Sequence, residues 1–131
     1  MDEPRWLDRL VVEAMHFDQL QRHGGAFGIK DENALESALA RARHRWVYEP
    51  NSDLCALAAA YGYGFARSHA YTDGNKRIAF MAMYVFLAVN GQEIVAPEPE
   101  IVQLMRDVAA GTCDESTLAT WLREHVEPLA G

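Results

Sequence analysis

Cysteine is nearly absent from this chain: two in 131 residues, Cys55 and Cys113, far apart and each inside or beside an apolar helical pattern. That excludes a disulfide framework and a Cys-x-x-Cys metal knuckle. The five histidines (His16, His23, His44, His69 and His125) show no ligand spacing, so no zinc site is expected. Basic charge is also scarce, with 12 Lys+Arg against 19 Asp+Glu and a formal net charge of −7. An acidic chain without a basic block makes a poor partner for a nucleic-acid backbone. No nucleic-acid partner is expected, and any anion site must be local. Long apolar runs are missing too. The longest, Ile78 to Val89, falls well short of the roughly 20 residues that a membrane-spanning helix needs. Met1-Asp2-Glu3-Pro4-Arg5 lacks the basic-then-apolar layout of a signal peptide. The expectation is a cytoplasmic protein with no membrane partner. No flexible linker and no repeat divides the chain, so a single domain over residues 1–131 is expected.

What is present is helical patterning. Half the residues are hydrophobic and 24% are charged, the balance of a globular domain. Trp6, Leu7, Leu10, Val11, Ala14 and Met15 recur at helical spacing, predicting a first helix from about Arg5 to Arg22, ended by Gly24-Gly25. The segment Gly24 to Lys30 reads as a loop or a short β-hairpin. Asn33-x-x-Glu36 has a capping-box pattern, predicting a second helix through about Arg43, with Trp46 to Asn51 as a connection. Ser52 or Asp53 can cap a third helix bearing Leu54, Leu57, Ala58, Tyr61 and Phe65 on one face. Gly62 and Gly64 within it read as close-packing positions, since no strand precedes them and no dinucleotide fingerprint is complete. A fourth helix runs from near Asn75 to Gly91. Being apolar on nearly every face, it is expected to be the central helix of the bundle. A fifth follows Pro97 and Pro99 and stops at Gly111, and a sixth carries Leu118, Trp121, Leu122 and Val126. The expected fold class is all-α, a bundle of about six helices.

The most informative feature is a conflict at the start of the fourth helix. Lys76 and Arg77 occupy its first turn, where the macrodipole is positive and the backbone N–H groups have no intrahelical acceptor. Two cations, free N–H groups and the preceding Gly74 describe a pocket for a phosphate. Asn75 can cap the helix and donate. Asp73 brings a carboxylate to the same place, either to hold Mg²⁺ with substrate phosphates or simply to neutralise the cations. His69, at the other edge of the loop, carries the natural general base for a hydroxyl near neutral pH. Each feature alone has a bland reading; within nine residues at the mouth of a buried helix, all the bland readings would have to hold together.

The run His69-Ala70-Tyr71-Thr72-Asp73-Gly74-Asn75-Lys76-Arg77 closely resembles the signature of the Fic/Doc family, with Lys76 marking its Doc (death-on-curing toxin) branch. Gly24 to Asp31, Ala34 to Ala40, Asp53 to Tyr61 and Phe86-Leu87-x-x-Asn90-Gly91 look like the same branch, so the resemblance covers the chain from about Leu7 to Leu122. It implies a Fic fold and a toxin that transfers the phosphoryl group of ATP to a Ser/Thr hydroxyl of a translation factor, elongation factor Tu. His69 would deprotonate the hydroxyl and Asp73 would coordinate Mg²⁺. Gly74, Asn75, Lys76 and Arg77 would hold the phosphates, and Gly24 to Lys30 would be a flap that positions the target. AMP-transferring members usually have glycine at the position of Lys76 and arginine at that of Phe80, which favours phosphoryl over nucleotidyl transfer here. The alternatives are an AMP-transferring enzyme and a catalytically idle partner-binding protein. The family's self-inhibiting Ser/Thr-x-x-x-Glu-Gly/Asn pattern is approached by Thr120-x-x-x-Glu124, but His125 follows. Inhibition is therefore expected from a separate antitoxin that lays a helix into a groove near the site, with Trp46-Val47-Tyr48 and Gly24 to Lys30 as candidate surfaces.

Overall fold

The computed structural model describes residues 1–130. Six helices follow one another: α1 (Arg9–His23), α2 (Glu32–Tyr48), α3 (Leu54–Ser68), α4 (Asn75–Val89), α5 (Glu98–Ala110) and α6 (Glu115–Glu124). Two short strands, β1 (Gln92–Ile94) and β2 (Val126–Pro128), complete the fold. Aspartate sets most of the helix starts. Asp8, Asp31, Asp53 and Asp114 each place a side-chain oxygen on a first-turn N–H, of Leu10, Ala34, Ala56 and Thr117 respectively, satisfying donors that have no intrahelical acceptor.

Those caps move two expected boundaries. The first helix begins at Arg9 rather than Arg5, because Asp8 caps it. The preceding segment is instead pinned across the bundle, with Arg5 N–H on Asn90 Oδ1 and Leu7 N–H on the Tyr61 hydroxyl. The second helix is capped by Asp31 rather than opened by Asn33, and it continues through Tyr48. Trp46, Val47 and Tyr48, expected as a connection, are its last turn. The helix stops at Glu49, whose non-helical ψ of 75° reflects the bar that Pro50 places on helical geometry for the residue before it.

The core is organised around α3 rather than α4. Helices α2, α4, α5 and α6 all pack on α3, and every residue from Cys55 to Gly62 is buried. The sequence reason is its run of small side chains. Ala58, Ala59, Ala60 and Gly62 let neighbours approach from all sides, and a Cβ at Gly62 would lie 2.3 Å from Met83 Sδ. Helix α4 is apolar all round yet buries only one flank, Ile78, Ala79, Ala82, Met83, Phe86 and Leu87; Phe80, Met81 and Tyr84 stay half-exposed. Full burial of side chains such as Tyr61, Phe65 and Phe86 contributes roughly 1.5–3 kcal/mol each.

Of the two readings of Gly24 to Lys30, the loop forms and the hairpin does not. Gly24, Gly25 and Gly28 adopt φ of 81°, 125° and 133°, which breaks any extended run. What remains is a single bridge between Ile29 and Tyr71, with Thr72 N–H on Gly28 O and Lys30 N–H on Ala70 O. The segment thus lies along the loop between α3 and α4. The strand pair forms elsewhere: β1 and β2 are antiparallel, with Ile94 opposite Val126, tying the end of α4 to the tail beyond α6. Among the described residues, no helix is long and apolar enough to cross a membrane.

Candidate active site

The loop between α3 and α4 is bounded by two left-handed residues. His69 closes α3 with φ 51° and ψ 41°, the one non-glycine residue at positive φ among those described. Gly74 precedes α4 with φ 81°, a conformation in which a side chain would be strained. No side chain caps α4, so its first-turn N–H groups are open to a ligand. Asn75, expected to cap, is used differently. Its Oδ1 accepts from Tyr71 N–H at 3.1 Å, and its Nδ2 donates to Tyr71 O at 2.9 Å. The amide closes the loop on itself and leaves the helix terminus bare.

Asp73 is held at two points. Its Oδ2 accepts from Ala26 N–H at 2.8 Å, and its backbone carbonyl accepts from His16 Nε2 at 2.7 Å. Lys76 and Arg77 are exposed, and no acidic residue shares their turn. Lys76 has no ion pair among the described residues, and Arg77 makes one long bond, 3.3 Å, to Gly24 O. His69, Asp73, Gly74, Asn75, Lys76 and Arg77 all line one cavity of about 540 Å³, together with Gly24, Gly25 and Ala109. The six residues expected to form the site therefore converge, and the contributions come from the ends of α1, α3 and α5 as well as the loop. None of the lining comes from α6, so Thr120 and Glu124 stand apart from the cavity.

The donor set bears on which cofactor the site can take. Among the described residues, no group of three or more His, Cys, Asp or Glu side chains is placed to hold a metal ion by itself, and Asp73 is the one carboxylate lining the cavity. That suits an ion such as Mg²⁺, which binds through one or two carboxylates and completes its shell with water and substrate phosphates. The uncapped terminus with its two cations and Gly74 suits the phosphates themselves.

Two residues near the site carry no local signal in the sequence. His16, on α1, is buried at 5% exposure and stacks on Tyr71 with ring centroids 3.6 Å apart. Burial pushes the Tyr71 hydroxyl up to about 12, so the ring beside the loop is a neutral packing group. The second is Ala26, whose N–H holds Asp73; a backbone donor leaves no trace in residue type.

Beside this cavity, and sharing Lys76 and Arg77 with it, runs an apolar groove between α4 and α5, lined by Phe80, Met81, Ile101, Val102 and Met105.

The site is thus an uncapped helix N-terminus with two cations, flanked by a histidine and one aspartate. Residues 6–87 match the model of the Fic/DOC family, and the chain belongs to it. Among individual relatives, the chain is 34% identical over 110 residues to "Protein kinase doc" of Escherichia phage P1, spanning 84% of this chain and 86% of that protein. It is 36% identical over 103 residues to "Toxin Doc" of Mycolicibacterium smegmatis, spanning 76% of this chain and 78% of that one.

Proposed function

We propose that this protein is a Doc-like toxin that transfers the γ-phosphoryl group of ATP to a Ser or Thr hydroxyl of a translation factor, elongation factor Tu. The observation that carries the reading is the convergence of His69, Asp73 and the cation-bearing, uncapped start of α4 on one cavity. The names of the two relatives, a protein kinase and a toxin, support it. Phosphoryl transfer is largely a matter of positioning and charge stabilisation, and the chain supplies both. The first-turn N–H groups, Lys76 and Arg77 bind and orient the triphosphate. His69 takes the proton as the target oxygen bonds to the γ-phosphorus and the bond to the β–γ bridging oxygen breaks, leaving ADP. No group among the described residues hydrogen-bonds the His69 ring, so a ring nitrogen is free to accept. Asp73 would hold Mg²⁺, which when bound neutralises the phosphate charge.

Phosphoryl rather than nucleotidyl transfer is favoured by the number of guanidinium groups. Among the described residues, Arg77 is the one guanidinium lining the cavity. Phe80, where AMP-transferring members usually carry a second arginine, turns into the neighbouring apolar groove. The antitoxin partner of this toxin would occupy that groove with an amphipathic helix. Lys76, Arg77 and Arg106 on its rim, against one Glu98, favour an acidic helix that would also reach the phosphate cradle. Of the two surfaces expected from the sequence, Trp46 packs against the core and edge-on to Trp6, while Val47 and Tyr48 beside it, and Phe27 and Ile29 in the Gly24 to Lys30 segment, are exposed.

The test is incubation with elongation factor Tu and ATP labelled at the α or γ phosphate, followed by the mass of the target. A gain of one phosphate with γ label supports the reading, and His69→Ala should abolish it while the fold persists. A gain of AMP establishes nucleotidyl transfer instead. No modification, with harmless expression in several hosts, points to an idle binding protein.

A further inference from the structure

His16 lies outside the loop, in the middle of α1, and nothing in the proposed chemistry uses it. It is nevertheless the most buried polar side chain next to the site. Its Nε2 meets the Asp73 carbonyl at 2.7 Å, its ring stacks on Tyr71, and a Cβ on Gly74 would come 3.3 Å from Nε2. A carbonyl oxygen can only accept, so Nε2 must carry the proton. The peptide joining Asp73 to Gly74 is planar and trans, and in such a unit the C=O and N–H point in opposite directions. Anchoring the carbonyl on His16 therefore turns the Gly74 N–H away from α1. Within the described residues that N–H has no acceptor, and Gly74 lines the cavity.

We propose that His16 is a positioning residue that locks the Asp73–Gly74 peptide with its N–H facing the cavity, adding a fourth backbone donor to those of Asn75, Lys76 and Arg77 in an anion cradle. The inference rests on the phosphate-binding reading of the cavity but not on which group is transferred. Asn75 braces the other end of the loop through Tyr71, so the two residues together hold the loop rigid while leaving its donors free. The absence of a Cβ on Gly74 lets the imidazole approach this closely.

The experiment uses the full chain, inorganic triphosphate as probe, and amide spectra. In the wild type, triphosphate should move the Gly74 cross-peak together with those of Asn75, Lys76 and Arg77. His16→Phe keeps an aromatic ring against Tyr71 but removes the donor. It should weaken triphosphate binding on the order of tenfold, the loss of one hydrogen bond to a charged group, and abolish the Gly74 response while the Lys76 and Arg77 responses persist. His16→Gln, whose amide can reach the same carbonyl, should restore both. A His16→Phe protein that binds triphosphate with wild-type affinity and a wild-type Gly74 response overturns the proposal. Should His16→Phe not fold, the ring of the wild-type protein decides: a proton on Nε2 supports the lock, and a bare Nε2 overturns it. A wild type that transfers no group to elongation factor Tu, yet shows the Gly74 response and its loss in His16→Phe, would sink the toxin reading and keep this one.

Discussion

Replacing Lys76 with glutamine separates a ligand-binding cation from a structural one. Lysine and glutamine have nearly equal helix propensity, so the substitution changes charge and little else. Lys76 sits in the second helical position of α4, exposed and without an ion pair among the described residues. A cation there opposes the macrodipole by about 0.3–1 kcal/mol. No neighbouring acid in the turn relieves it. Lys76→Gln should therefore raise the stability of the ligand-free protein by that amount. For a chain of this size, that is roughly 1–5 °C in Tm. The gain should shrink in high salt, which screens an exposed charge. The same substitution removes a charge-assisted contact to phosphate, so ATP–Mg²⁺ should bind about 10- to 100-fold more weakly. Thermal melts at low and high salt, paired with calorimetric titration of ATP–Mg²⁺, read both effects. A fall in Tm of several degrees, or unchanged nucleotide affinity, would refute the reasoning and make Lys76 a structural residue. Arg77→Gln should show a smaller stability gain, because its bond to Gly24 O is lost as well.

Three further outcomes follow from the same geometry. His69→Gly should abolish transfer and raise stability by up to about 1 kcal/mol, since glycine adopts the left-handed cap of α3 without steric cost; chemical denaturation checks it, and a destabilised His69→Gly would show that the imidazole is itself a structural contact. The Arg123 guanidinium and the Ala56 N–H hold the Asp53 carboxyl below its ordinary value. It therefore contributes stability above about pH 4 that is lost as pH falls through its lowered pKa; Asp53→Asn should flatten the acid limb of the stability curve, and Asp53→Ala should cost about 0.5–2 kcal/mol at pH 7 through the lost cap. Burial pushes the Cys55 thiol up to about 11 and raises Cys113 as well, so both should resist a thiol reagent at pH 7 until the protein unfolds, and rapid labelling of the native protein would contradict that burial.

The loop from His69 to Arg77 was legible from the sequence because its chemistry is local. A helix terminus, its dipole and the residues that contradict it lie within one short run, so the candidate site could be located without tertiary information. Helix existence was legible for the same reason, since apolar spacing and caps act over a few residues. Where local signals competed, the sequence misdirected. Asn33 offered a capping box, but Asp31 was two residues earlier and holds Ala34 N–H directly. Asn75 looked like a cap, but the backbone of Tyr71 claimed its amide. Other features depended on contacts between distant parts of the chain. The helix with the most continuous apolar run, α4, is not the centre, because centrality comes from small side chains that admit neighbours on every side, and α3 has them. The strand pair joins residues that α5 and α6 separate, and no periodicity over three residues announces it. His16 is the clearest case. Among five histidines without ligand spacing, only the packing of α1 against the loop gives one of them a carbonyl to hold and a peptide plane to turn.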